Sequence, residues 1–351
     1  MRPEKKFHSS FPYRAGESPI IALGTLHMAR GGVFAWVGNY VGFSATITDA
    51  GAGNYTVNIP VNFATAILNV HVQAITARMQ PNAVLSAGPL VGGIATTNVQ
   101  IETTNDGSIL ADSDVMIVVI DSAAMLSKKT PILAMGHFHE FGLAGSWLAA
   151  GGALAAGAHP GFSATILNSG VAGDYTVYIG PQAANAQYNL LVTPITADRH
   201  VNVIKTDLGA GLGTSFRVVC TDNAAGAAEA DLFLTVVDTT PALGESPMVA
   251  GGDLLEPGGG PGSWGGIAHP GFVTSVGAPT GITHNNQGDY TVVMGADNTA
   301  QIVKIFVTPM QNVDAVSSIS FPTATTARVL VQTSTGGGAV DSNVALTAFI
   351  I

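Results

Sequence analysis

The chain has 351 residues; 10% are charged and 47% hydrophobic, and 13 Lys and Arg stand against 23 Asp and Glu, for a net charge of −10. That balance excludes nucleic acid as the expected main partner, because gripping phosphates takes concentrated Lys and Arg. A charged fraction far below the roughly 25% of a typical soluble domain also leaves too few charges to coat several separate domains, so much of the surface is expected to lie against partners or sister units.

The chain opens on MRPEKKFHSSFPYR, where Arg2, Lys5, Lys6 and Arg14 are four of the thirteen Lys and Arg. No apolar stretch follows these charges, so the segment does not read as a secretory signal, and synthesis in a cytoplasm is expected. Residues 1–17 read as an extended anchoring arm laid against a neighbour; a disordered tail is the blander alternative. No apolar run of about 20 residues is present to span a membrane as a helix.

Beyond the arm the sequence repeats itself. SPIIALGTLH (18–27) is answered by TPILAMGHFH (130–139) and SPMVAGGDLL (246–255). A glycine-rich passage holding Trp36, Trp147 or Trp264 follows each, and each passage reads as a flexible connection folded over its own unit or a neighbour, the tryptophan plugging an apolar surface. Then come Gly42-Phe43, Gly161-Phe162 and Gly271-Phe272, and after them GNYTV (53–57), GDYTV (173–177) and GDYTV (288–292). Seventeen residues past Tyr55, Tyr175 and Tyr290 stand Val72, Val192 and Val307, opening VQAIT, VTPIT and VTPMQ. Each unit closes on an apolar run: DVMIVVID (114–121), DLFLTVVD (231–238) or NVALTAFI (343–350). A long fixed period marks repeated structural units. The boundaries are read as 18–121, 129–238 and 245–351.

Within the second unit, GDYTVYIG alternates Tyr175, Val177 and Ile179 against Thr176 and Tyr178, the period of a half-buried strand. YNLLVTPI (188–195), VNVIK (201–205), SFRVVCT (215–221) and DLFLTVVD read the same way, separated by Gly, Asn, Asp and Pro clusters. Many short strands at close spacing predict an all-β sandwich or barrel. Tyr55, Tyr175 and Tyr290, with Phe43, Phe162 and Phe272, are the expected equivalent core positions. The single cysteine, Cys220, precludes an intrachain disulfide and reads as a small buried hydrophobe.

Candidate chemistry is sparse. His137 and His139 lie two apart on one strand face, a spacing from which two imidazoles could hold a metal, although the third unit has Asp253 and Leu255 at those places. Asp112 and Asp114, like Glu229 and Asp231, stand at the mouth of a closing strand, where paired carboxylates could bind Ca²⁺ or simply cap a turn. His159 and His269, in AHPGF, read as turn formers. No P-loop, HExxH, CxxC or Ser-His-Asp order is present, so no enzyme and no cofactor is expected.

The order of these strings resembles the C1q/TNF-like jelly roll of phage and bacterial surface or fibre proteins. The second unit carries it as Ala134 and Gly136, Gly161-Phe162, Gly173 to Val177, Tyr188 to Thr193, Val219 to Asp222, and Asp231 to Val237. The third departs from it with Asn343 for the late Asp and with Leu255 where the others have His27 and His139. The resemblance implies three tandem jelly-roll β-sandwich domains behind an extended arm, and threefold packing through one sheet. Two arrangements satisfy that: a homotrimer of tandem tiers, which is preferred because the Trp passages resemble spacers, and an intrachain pseudo-trimer. The expected role is that of a structural protein on a virion surface, a capsid-decorating or head-fibre protein of a tailed phage bound to capsid protein through its arm. The alternatives are a receptor-binding tail fibre or spike recognising a cell-surface glycan, and a bacterial appendage subunit.

Overall fold

The computed structural model describes residues 19–29, 33–38, 40–62, 67–122, 132–148, 159–180, 188–207, 213–238, 248–255, 263–265, 281–294, 303–310, 315–333, 338–340 and 342–350. The regular elements among them are β-strands. The first unit contributes β1 (Ile20–Ala29), β2 (Val33–Trp36), β3 (Ile47–Gly51), β4 (Asn54–Ile59), β5 (Leu68–Ala74), β6 (Gln80–Val91), β7 (Ile94–Thr104) and β8 (Val115–Asp121). The second contributes β9 (Ile132–Phe141), β10 (Ala144–Leu148), β11 (Phe162–Asn168), β12 (Asp174–Ile179), β13 (Tyr188–Pro194), β14 (His200–Asp207), β15 (Thr214–Thr221) and β16 (Leu232–Asp238). The third contributes β17 (Met248–Leu255), β18 (Ser263–Gly265), β19 (Ile282–Asn286), β20 (Asp289–Val293), β21 (Val303–Pro309), β22 (Ala315–Thr323), β23 (Thr326–Thr333) and β24 (Val344–Ile350).

Each unit folds into two four-stranded antiparallel sheets with one strand order. In the first the orders are β2-β1-β8-β5 and β3-β4-β7-β6; in the second β10-β9-β16-β13 and β11-β12-β15-β14; in the third β18-β17-β24-β21 and β19-β20-β23-β22. The repeated strings are what this topology needs. Tyr55, Tyr175 and Tyr290 sit at the second position of β4, β12 and β20, opposite Ile101, Val218 and Val329, and all three are buried. The glycine two residues before each tyrosine has φ of +66°, +72° or +63°, and a Cβ there would lie 2.4–2.5 Å from a backbone oxygen of its own unit. Only glycine fits.

The Gly-Phe pair is equally determined. Gly42 and Gly161 have φ of +74° and +83°, and a Cβ would meet the carbonyls of Ile21 and Leu133 at 1.9 Å. Phe43 and Phe162, both buried, stack at 4.8 Å on Trp36 and Trp147. Each indole also covers a glycine of the first strand in its unit, Gly24 or Gly136, where a Cβ would come within 2.7 or 2.6 Å of the ring. These tryptophans therefore lie in paired edge strands, β2 and β10, and close over their own units. They do not space one layer from the next, as the glycine-rich composition suggested. Trp264 falls in β18, opposite Leu254; Phe272 lies outside the described residues.

The closing strands are buried on both faces. In β8, Val115, Ile117 and Val119 join the sandwich core of the first unit with Tyr55, Val57 and Val70. The alternate residues Met116, Val118 and Ile120 join a different cluster, which also takes Ile132, Met135, Leu191 and Val237 from the second unit and Ile305, Phe306 and Leu346 from the third. A strand covered on both sides reads as a continuous apolar run rather than an alternation, which is why DVMIVVID looks as it does. The contacts between units are cyclic: β5 packs on β16, β13 on β24 and β21 on β8, while β5, β13 and β21 also touch one another.

Candidate functional site

The place where chemistry concentrates is this three-way seam. β5 reads LNVHVQA and is buried throughout. Leu68, Val70 and Val72 face the sandwich core, so strand alternation turns Asn69, His71 and Gln73 outward, into the seam. Asn69 Nδ2 donates to the Leu234 carbonyl at 2.5 Å and lies 2.8 Å from Thr235 Oγ1. His71 reaches Thr193 Oγ1 at 3.2 Å through Nδ1 and Thr235 Oγ1 at 2.8 Å through Nε2. Gln73 turns to the third unit, donating from Nε2 to the Ser317 carbonyl and accepting at Oε1 from the Val307 N–H, both at 2.9 Å. One strand thus ties all three units by bonds that leave little slack, since a buried polar group costs about 1–3 kcal/mol when its partner is removed.

The second unit repeats part of this pattern. Asn189, equivalent to Asn69, donates to the Leu346 carbonyl at 2.7 Å and to Thr347 Oγ1 at 3.0 Å. Thr308 in the third unit donates to the Leu190 carbonyl at 3.2 Å. The third unit breaks the pattern with Lys304 where the others have asparagine. Opposite it in the cycle, the first unit has Val118 in the place of Thr235 and Thr347, which offers no hydroxyl. Burial pushes the Lys304 ammonium down to about 8 and the His71 imidazole down to about 3, so His71 is neutral at physiological pH.

The sequence-derived candidates fall elsewhere. His137 and His139 do share a face of β9, but they diverge in their partners. His137 is buried, bonds through Nε2 to the Leu68 carbonyl across the seam at 2.7 Å, and is held below its usual range by burial. His139 Nδ1 meets Asp231 at 2.7 Å, just as His27 Nδ1 meets Asp114 at 2.8 Å. Asp112 accepts from the Tyr55 hydroxyl at 2.7 Å and the Gly53 N–H at 2.9 Å. Glu229 accepts from the Gly142 N–H, and the Gly173 N–H donates to Glu140. These carboxylates are thus spread over turn amides, a phenol and imidazoles, and among the described residues no group of three His, Cys, Asp or Glu gathers as a metal site. His159 Nδ1 bonds the Phe162 carbonyl within the turn. Cys220 is buried, and burial pushes its thiol up. Arg2, Lys5, Lys6 and Arg14 of the arm, and His269, lie outside the described residues.

Sequence reasoning missed Asn69, His71, Gln73, Asn189 and Lys304. In LNVHVQA the polar alternate positions look like a solvent-facing edge, and only the doubly buried run of β8 beside them signals that something covers that face. No protein-family model matches the chain, and no curated protein or solved structure is significantly similar to it.

Proposed function

We propose that the chain is a non-enzymatic structural protein: three C1q/TNF-like jelly rolls closed around one axis as an intrachain pseudo-trimer, decorating a phage capsid or forming its head fibre and attached through residues 1–17. The observation that supports this most is the cyclic seam, in which the outer face of one sheet from each unit is sealed by the other two. That arrangement hides apolar sheet faces that a chain with 10% charged residues could not otherwise keep from aggregating. It replaces the tandem-tier homotrimer as the preferred assembly, because the residues that would meet sister chains in a tiered trimer are engaged within the chain. The jelly-roll reading draws on strand order: without the edge strands β2 and β3, one on each sheet, the first unit runs β1-β8-β5 over β4-β7-β6. That is a two-sheet Greek-key order with the first and last strands adjacent.

The role is tested on particles. Antibody labelling of intact virions should place the chain on the head, and deletion of residues 1–17 should leave a folded protein whose particle occupancy drops and becomes salt-sensitive. Label at the tail tip, or full occupancy after the deletion, refutes the assignment.

A further inference from the structure

Where the seam meets β6, β14 and β22 there is a cavity of about 70 Å³ to which each unit contributes equivalent residues. One water needs at least about 10–15 Å³ on this measure, so the space accommodates several waters or part of a small organic molecule. Each unit adds the valine that opens its repeated string, Val72, Val192 or Val307, and the surface the cavity exposes is mostly polar. A second set of equivalent positions is occupied by unlike residues: Gln80, His200 and Ala315.

Gln80 is the informative one. It is 5% exposed, yet neither its Nε2 nor its Oε1 has a hydrogen-bond partner in the protein. On β6 it shares a face with Asn82, whose Nδ2 reaches the Ile195 carbonyl of the second unit, so this face looks into the junction rather than into its own core. A buried carboxamide with both atoms unpaired is costly unless something supplies a donor and an acceptor side by side. Arg199, also lining the cavity, gives Nε and Nη1 to the Glu229 and Asp198 carbonyls and retains further N–H donors, of the five a guanidinium carries. Two of its donors are thus committed to protein carbonyls, and the unpaired Gln80 Oε1 needs a donor, which a hydroxyl supplies and a free anion, being acceptor only, does not.

We propose that this axial cavity binds a neutral polyhydroxyl ligand, the vicinal-diol edge of a saccharide or polyol. One hydroxyl donates to Gln80 Oε1, and its neighbour accepts from Gln80 Nε2. The site does not depend on where the chain sits in a particle. Free sugar and the end residue of a glycan offer the same chemistry, and they are separated by comparing monosaccharides and glycerol with oligosaccharides.

The test is titration of the purified full chain with these compounds at millimolar concentrations, followed by calorimetry or saturation-transfer NMR, for wild type and for Gln80→Leu. The proposal expects binding by wild type and a loss of about tenfold or more in the variant, as two hydrogen bonds disappear. It also expects Gln80→Leu to be more resistant to denaturant than wild type, because an amide kept for a ligand weakens the empty fold. Ala315→Leu, which narrows the cavity from the third unit without touching Gln80, should abolish binding as well. No binding by wild type, undiminished binding by Gln80→Leu, or a Gln80→Leu chain less stable than wild type overturns the proposal.

Discussion

Lys304 is an ammonium where its two equivalents are asparagines, and replacing it with methionine should stabilise the protein. The fall of its pKa from the ordinary 10.5 to about 8 corresponds, at 1.36 kcal/mol per pH unit, to roughly 3 kcal/mol of destabilisation at neutral pH. The sign follows from the protons bound. Between about pH 8 and 10.5 the unfolded chain carries the proton and the folded chain does not, so wild-type stability rises with pH across that window and the penalty is gone above it. Lys304→Met keeps the length and apolar stem of the side chain and removes the charge. Its advantage over wild type should therefore be up to about 3 kcal/mol at pH 7 and should shrink toward zero by pH 10.5. Guanidinium unfolding of both proteins at several pH values gives the difference directly, and other alkaline titrations cancel in it. A variant less stable than wild type, or an advantage that does not change with pH, refutes the reasoning.

Three other outcomes follow from the same geometry. Tyr175→Ala empties the centre of the second unit and should cost about 3–5 kcal/mol in chemical denaturation; a loss below about 1 kcal/mol would mean that the position is not core. Gly161→Ala drives a Cβ toward the Leu133 carbonyl at a left-handed φ and should cost about 3 kcal/mol or more, whereas Gly142→Ala, at φ +56° with nothing within 4 Å, should cost only about 1–2 kcal/mol; equal losses would refute the close approach. His71, depressed from 6.5 to about 3, is neutral when folded and protonated when unfolded between those values. Stability should therefore fall as pH drops below about 6.5, and His71→Leu should flatten that slope; an unchanged slope counts against a buried neutral imidazole.

The repeat, the strand content and most of the second unit's strands were legible because period-two alternation and positive-φ glycines are local requirements. GDYTV needs its glycine for a turn and its tyrosine for a core, and both show in five letters. The edge strands carrying Trp36 and Trp147 were not legible: the glycine-rich passages around them resemble flexible linkers, and the glycines that the indoles cover, Gly24 and Gly136, lie upstream in β1 and β9. Nor was the seam. The spacing of His137 and His139 correctly put them on one face, but their partners, the Leu68 carbonyl and Asp231, lie 69 and 92 residues away, beyond what spacing can show. Asn69, His71 and Gln73 needed a knowledge of what covers β5, and that comes from two other units.

Whether one chain closes on itself is the claim on which the rest depends, and analytical sedimentation of the purified protein tests it most directly. The account predicts a compact particle of 35.6 kDa whose frictional behaviour is that of a globular body. A mass near 107 kDa, three times 35.6, would instead support three chains stacked in tiers, and an extended 35.6 kDa particle would mean that the units do not share a core; either contradicts it.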